Sequence, residues 1–534
     1  MKYRKIVFVV IFLIATIILT FALVHAESVL IKLTLEKSSD HENAISLGVV
    51  AYQRFDNFVL AEFASERLKE LDDADLRYQV VDQKPWSEEY FLVSPAEGVA
   101  KVNLELYGKI LLEATEWQLI KTSREKAFEL VSVGYEITHI RHKAKPLRYK
   151  PPIKVTKEVL WHSADINDLV NLVSEDSLRT WVQRLQNFQT RYSYSDSVLK
   201  VRDWLYEKFI SFGIDSVWLH HYHYDSDQWN VVATVVGTEK PDKVIVVGGH
   251  YDSVVYGAGT NPYTWAPGAD DNGSGSVATL EMARIIAQNP LPVTVTFVAF
   301  AQEEQGLIGS DYFAEYLNNN NTDVLLMINS DMIAHSVDLD PDVVIYADAG
   351  AMEWVNIMIQ MANVYTYLDP SYKGPAANSD HHSFYQWGYD AVFATEGDFF
   401  SFGWHKNYDV VDSLNFPYMK EVVKMCLGTL WCAAAEEEVE APGSFSLSQN
   451  YPNPFNSETV IEYSLPKESQ VKMIIYNILG QRVKTLLEQK ETAGYKRIIW
   501  DGKNEKGQVV SSGIYFYRIQ TEKFTQSKKM LLLK

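Results

Sequence analysis

Several apolar runs in this chain lead straight into residues that could bind a cation. Val244–Gly249 is followed by His250, Tyr251 and Asp252. Val293–Phe300 is followed by Ala301, Gln302, Glu303 and Glu304, and Val324–Ser330 by Asp331. Between the first two runs, Asp270-Asp271-Asn272-Gly273-Ser274-Gly275 opens a helical pattern. Burying a carboxylate is costly unless a metal or a partner compensates it. Strands that end in acids therefore need a reason, and a shared cation site supplies one. His405, in Trp404-His405-Lys406-Asn407-Tyr408-Asp409, is a further ligand candidate in a loop before the last helical stretch. Imidazole and carboxylates without a thiolate suit zinc, and manganese or cobalt less often; calcium would favour an all-oxygen shell. Spacing alone does not rank Asp270 against Asp271.

The elements that position these residues are legible as texture. Residues 161–435 alternate amphipathic helical patterns with runs that are apolar on both faces, such as VVATVVG (231–237), VIVVGG (244–249) and VTVTFVAF (293–300). That texture predicts an α/β domain with a buried, mostly parallel sheet and helices on both faces. In such sheets, sites form outside the carboxyl ends of the strands. Residues 27–160 read as an α+β accessory domain without a ligand cluster. Its strands VLIKLTL and LRYQVVDQ flank a helix over Glu62–Leu71, and KILLEA, SREKAFELVSV and YEITHI repeat the order, as in two small copies of one unit. A basic, proline-containing junction lies near 151. Residues 436–443 read as a charged linker ending in proline and glycine. Residues 444–534 hold short alternating runs between turn signals, which predicts an all-β sandwich.

Residues 1–26 combine Lys2, Arg4 and Lys5, an apolar run Ile6–Leu23 and small residues at the end, the pattern of a secretory signal peptide. No later segment is as long and apolar, so no stable membrane span is expected in the mature protein. The net charge is −20 over 534 residues, with a net basic tail. A surface that grips phosphate backbones must be basic, so nucleic-acid binding is excluded as a main function. The only two cysteines, Cys426 and Cys432, stand six apart in a helical stretch, about 9 Å along its axis and too far to bridge.

The strings GGHYDS (248–253), APGADDNGSG (266–275), AQEEQGLIGS (301–310), NSDMI (329–333), NSDHHSF (378–384) and WHKNYD (404–409) together resemble the bacterial zinc aminopeptidases of the leucyl-aminopeptidase type. Their clan includes glutamate carboxypeptidase and the glutaminyl cyclases. The resemblance implies two zinc ions per chain and peptide substrates. It implies that His250 and Asp331 hold one ion, Glu304 and His405 the other, and that Asp271 bridges them. It also implies Glu303 as general base and Asp252 as the residue orienting His250. Asp270 is then a loop residue or helix cap. Where some relatives carry a Cys–Cys staple, Gly374-Pro375-Ala376-Ala377-Asn378 stands here.

Other residues have plainer readings. Asp380, His381 and His382 serve as hydrogen-bonders near the pocket or as part of it. His220, His221 and His223 read as a solvated strand face, Glu396 as a pocket or structural acid, and the aromatic residues of 251–265 as cleft walls. Rival functions are cyclase or carboxypeptidase chemistry, or an inactive binding protein on the same scaffold. In the tail, SFSLSQNYPNPFNSETVIEYSLP, YNILGQRV, SSGIYFYRI and KKMLLLK are similar to type IX secretion sorting domains. That implies recognition by outer-membrane secretion machinery and a secreted or cell-surface location, reached through the periplasm of a bacterium.

Overall fold

Strands β1–β4 (Ser28–Thr34, Val50–Arg54, Phe58–Ala64, Tyr78–Asp82) form a sheet in the order β2-β3-β1-β4. Strands β5–β8 (Glu89–Pro95, Lys109–Glu113, Gln118–Thr122, Tyr135–Ile140) form a second sheet in the equivalent order β6-β7-β5-β8. The repeated order supports two copies of one unit, but KILLEA (β6) is the equivalent of β2, not of VLIKLTL (β1), whose equivalent is β5, a strand that the sequence reading passes over. The helix expected over Glu62–Leu71 starts only at Leu68, because β3 continues to Ala64 in antiparallel register with β1, Leu30 opposite Glu62.

The computed structural model describes residues 28–533 except 56, 96–98, 115–116, 148–163, 258, 337–340, 398–402, 436–444, 448, 451–452, 454, 457–458, 468 and 492–493. The signal segment at 1–26, the junction near 151 and the linker at 436–443 lie outside the described residues. Residues 28–147 and 164–435 belong to one compact unit, and the tail from 445 onward to a second.

Strands β9–β16 (Ser216–His223, Asp227–Val235, Lys240–His250, Val293–Phe300, Asp323–Ser330, Asp342–Ala347, Asp369–Tyr372, Ala391–Glu396) form the central sheet, ordered β15-β14-β16-β13-β11-β12-β10-β9. The neighbours β16, β13, β11 and β12 run parallel, while β9, β10 and β14 bring antiparallel pairs toward the edges. The sheet is thus mixed around a parallel centre. Every residue of β12 is buried. On one face Val246, Val298 and Phe300 pack against Phe313 and Phe384, from the helices Ile308–Asn319 and His381–Gln386. The helices Gly273–Gln288 and Phe416–Ala434 cover the other face. Cys426 and Cys432 are both buried in the last of these and are not bridged to each other.

The tail forms two antiparallel sheets, β17-β18-β21 (Ser446–Leu447, Thr459–Leu465, Gly494–Trp500) and β20-β19-β22-β23 (Arg482–Glu491, Ser469–Asn477, Gly513–Gln520, Thr525–Leu532). Alternate residues turn inward, as a period of two requires. They build a separate core that includes Met473, Ile475, Trp500, Tyr517 and Met530.

Candidate metal centre

The parallel strands at the centre of the sheet end side by side, and their ends carry the ligand-type residues. His250 closes β11, Glu303 and Glu304 follow β12, and Asp331 follows β13. Asp271 comes from the loop before the helix Gly273–Gln288. That helix is capped by Asn272, whose side chain accepts the Gly275 N–H at 2.7 Å. Asp270 is therefore not the helix cap. Its Oδ1 instead accepts the Ala334 N–H at 3.0 Å. The helix start lies so close to the end of β13 that a Cβ on Gly275 would stand 1.9 Å from the Ser330 carbonyl oxygen. Only glycine permits that approach, which brings the Asp271 loop over the strand ends.

Asp271 faces two imidazoles. Its Oδ1 lies 3.5 Å from His250 Nε2 and its Oδ2 lies 3.4 Å from His405 Nε2. Asp331 Oδ1 stands 3.4 Å from His250 Nε2, and Glu304 Oε2 stands 2.7 Å from His405 Nε2. Two triads result, His250–Asp271–Asp331 and Asp271–Glu304–His405, each with its donor atoms within 4.8 Å of one another. Asp271 belongs to both. Glu303 belongs to neither, although its Oε2 reaches 3.8 Å from His250 Nε2. Six of the seven residues that the resemblance implies thus meet in one place.

The electrostatics ask for positive charge. Burial and mutual repulsion push Asp271, Glu303 and Glu304 well above the ordinary carboxylate range. Burial opposes charge on His250, yet Glu303 and Asp331 push its pKa well above the usual value. Burial takes His405 the other way, down to about 4. Asp331 Oδ1 and Glu304 Oε1 are buried and receive no hydrogen bond among the described residues. Orphaned carboxylate oxygens of this kind are costly. Oxygen and imidazole donors around them fit zinc.

Supporting residues hold these side chains. Asp252 lies behind the centre: its Oδ1 is 3.6 Å from His250 Nδ1 and accepts the Glu303 N–H at 3.1 Å, while Ser193 Oγ donates to its Oδ2 at 2.9 Å. Ser379 Oγ donates to Asp331 Oδ2 at 2.7 Å. Asp409 accepts the backbone N–H groups of Asp270 and Asp271. The buried Arg191 guanidinium donates to the carbonyls of Tyr251 (2.7 Å), Pro267 (2.6 Å) and Gly268 (2.6 Å), tying both ends of the loop between His250 and Asp271. Ser379 and Asp409 lie within the strings NSDHHSF and WHKNYD, but a reading of the sequence gives them no role, and Arg191 lies in none of the strings, because all three act on main chain or on single oxygens.

The remaining candidates fall into place around the centre. Glu396 is buried and accepts the His335 N–H at 2.6 Å, beneath the Asp271 loop rather than in the cleft. His382 Nε2 bonds Gln53 (2.9 Å) and Gln386 (3.0 Å), a structural role. Asp380 and His381 are buried beside it, His381 stacked on Phe393. His221 and His223 are exposed and share Asp227 Oδ1, each at 3.0 Å, but His220 turns inward to Asn230. The triple-histidine string is therefore one buried and two solvated residues, because alternate strand positions face opposite ways. Tyr256 packs edge-on against His405 and shapes the cleft.

Comparison with known proteins agrees with this geometry. Residues 230–430 match peptidase family M28, and residues 455–523 match the FlgD Ig-like domain. Leucine aminopeptidase 1 of Ajellomyces capsulatus (strain NAm1 / WU24) is 31% identical over 297 residues, covering 51% of this chain and 74% of that protein. A probable zinc metalloprotease of Pyrenophora teres f. teres (strain 0-1) is 32% identical over 222 residues; the match takes in 36% of this chain and spans only about half, 47%, of that relative. The fold is similar to the crystal structure of the Legionella pneumophila LapA aminopeptidase, with a TM-score of 0.53 at 21% identity over 66% of this chain and 99% of that one.

Proposed function

The chain belongs to peptidase family M28, and from that premise we propose that it is a two-zinc aminopeptidase removing N-terminal residues from peptides. The observation that carries this reading is Asp271, shared between two ligand triads. His250 and Asp331 would hold one zinc, Glu304 and His405 the other, with Asp271 between them. Zinc bound there supplies Lewis acidity, lowering the pKa of water from about 15.7 to about 7 and polarising a scissile carbonyl.

The protein's own groups do the rest. Glu303, outside both triads, takes a proton from the attacking water and passes it to the departing amine. Its backbone N–H is fixed by Asp252, so its carboxylate stays aimed at the cleft. Arg191 and Asp409 hold the loop on which Asp271 depends.

Residues 27–160 act as an accessory domain without metal ligands. Residues 1–26 direct export to the periplasm, and the tail directs passage across a bacterial outer membrane to the surface or medium. The separate core of the tail and its sorting-domain strings support this address. Among the described residues no helix is long and apolar enough to cross a membrane.

A panel of peptides with free, blocked and glutaminyl N-termini, assayed with and without a chelator, tests the reading. Chelator-sensitive release of the first residue from free-amine peptides supports it. Cyclisation of the glutaminyl peptides would make the protein a cyclase, and cleavage of N-blocked peptides from the carboxyl end would make it a carboxypeptidase. Failure to retain zinc would leave an inactive binding protein.

A further inference from the structure

Among the described residues that line the cleft, Glu136 is the carboxylate left over once the two triads and Glu303 are assigned. It comes from β8, in the accessory region, 114 residues before His250 in the chain. Alternate residues of a strand share a face, and this one turns Glu136 and Thr138 toward the segment before Ser379. Thr138 Oγ1 donates to the Ala377 carbonyl at 2.8 Å, and Asn378 Nδ2 donates to Glu136 Oε1 at 3.4 Å. Ser379, next in that segment, holds Asp331. Glu136 therefore stands in the wall of the cleft that holds the metal centre.

That wall is fastened in place. Arg141, just beyond β8, donates to Asp311 and to Glu315, the latter at 3.0 Å, and Lys145 donates to Asp311. Ile137 lines the same cleft. The accessory region is thus built into the site rather than merely attached near it.

Glu136 lacks a counter-charge. Among the described residues no Lys, Arg or His pairs with it, and the Asn378 amide is its hydrogen-bond donor. Burial and the neighbouring Asp331 push its pKa up to about 8, against the Asn378 hydrogen bond. The triads already account for two metal ions, and one carboxylate with one amide does not make a third metal site. The missing cation belongs to the ligand. We infer that Glu136 is a specificity-determining residue that binds the terminal ammonium of the peptide, so that the accessory region reads the free N-terminus which the metal centre then cleaves. This inference rests on the aminopeptidase reading.

The test uses the full zinc-loaded chain and a ligand pair differing only in the α-amine, leucine hydroxamate and isocaproic hydroxamate, with leucine 4-nitroanilide as substrate. Glu136→Gln keeps shape and removes the charge. Its preference for the amine-bearing hydroxamate is expected to fall by about 10-fold or more, the loss of a hydrogen bond to a charged group. KM for the nitroanilide is expected to rise by a similar factor, with kcat, zinc content and isocaproic hydroxamate affinity close to wild type. Glu136→Asp should recover part of the preference. An unchanged preference in Glu136→Gln overturns the inference, as does tighter binding of both hydroxamates, the mark of a residue that only obstructs the cleft. If the wild-type chain cleaves no free-amine substrate, the aminopeptidase reading fails separately, and the hydroxamate preference, read by calorimetry, still decides the role of Glu136.

Discussion

Asp409 holds the main chain of Asp271: its Oδ2 accepts the Asp271 N–H at 3.0 Å, while its Oδ1 accepts that of Asp270 at 2.8 Å. His405, from the same short loop, meets the Asp271 side chain. One loop thus fixes both the backbone and the ligand face of the residue shared by the two triads. Asp409→Asn leaves one acceptor oxygen for two N–H groups and turns an amide donor toward the other. Zinc affinity is expected to fall by about 10- to 100-fold, as for other residues that orient ligands, with activity recovering at raised zinc. Competition against a chelating dye measures it. Unchanged affinity would mean that the loop holds Asp271 without Asp409.

Glu303 and Glu304 are adjacent but differently placed. Glu304 Oε2 lies 2.7 Å from His405 Nε2 inside a triad, whereas Glu303 lies outside both. A carboxylate committed to a cation is a poor base, so the pair divides the work. Glu303→Gln is expected to lose at least about 10²-fold in kcat with zinc content unchanged. Glu304→Gln is expected to lose one zinc. Metal analysis beside kinetics decides the matter, and zinc loss in the first variant alone would reverse the two roles.

What was legible in the sequence follows from chemistry that has no cheaper explanation. Acids at the ends of apolar strands are expensive, so Glu303, Glu304 and Asp331 announce themselves, with His250 beside them, whereas only the resemblance to the zinc aminopeptidases separates Asp271 from Asp270. Strand runs such as β12, buried throughout, were equally plain. Less visible were β15, whose mixed polar residues sit at a sheet edge, and the antiparallel pairings, which tertiary contacts decide; β9 showed itself only through its histidines. Arg191 and Glu136 were silent, and Asp409, though it closes WHKNYD, had no assigned role, for a related reason. Each acts across a fold-made contact, on a carbonyl, an N–H or an open cleft, and none repeats at a spacing that a single sequence can display.

Arg191 is fully buried and serves three carbonyls. Arg191→Met would leave those oxygens without donors. Each buried unsatisfied group costs about 1–3 kcal/mol, and partial relaxation brings the expected loss to about 3–5 kcal/mol. Lysine should not rescue it, because an ammonium cannot span the planar fan of acceptors that a guanidinium reaches. Urea unfolding followed by a fluorescence signal of the larger unit gives the number, with the tail's own transition as an internal control. A shift below about 1 kcal/mol would mean that water replaces the guanidinium.

Asp311 carries a pH-dependent share of stability. Burial raises its pKa, but Arg141 and Lys145 overcome that and hold it far below the usual carboxylate range. A carboxyl whose pKa is lowered by folding adds stability that is complete above its unfolded pKa, about 3.9, and is lost as pH falls through the folded value. Asp311→Asn removes the charge and leaves Lys145 without its carboxylate, while Arg141 keeps only Glu315, which is expected to cost about 3–5 kcal/mol at pH 7. The gap from wild type should narrow below about pH 4. Urea titrations at several pH values check the sign, and a gap that stays constant down to low pH would mean that the cations find other partners.

The tail has its own core around Trp500 and Tyr517, and among the described residues both ligand triads come from the larger unit. A domain that buries its own apolar surface can fold alone and can serve as an address without touching catalysis. A chain ending at Glu440 is expected to keep its zinc and its kcat/KM. In a bacterial host with type IX machinery, the shortened chain is expected to stay in the periplasm while the full chain leaves the cell. Fractionation and immunoblotting of both chains, with peptidase assays on each fraction, read the two outcomes together. Export of the shortened chain would place the address elsewhere in the protein, and loss of activity with zinc retained would give the tail a part in catalysis.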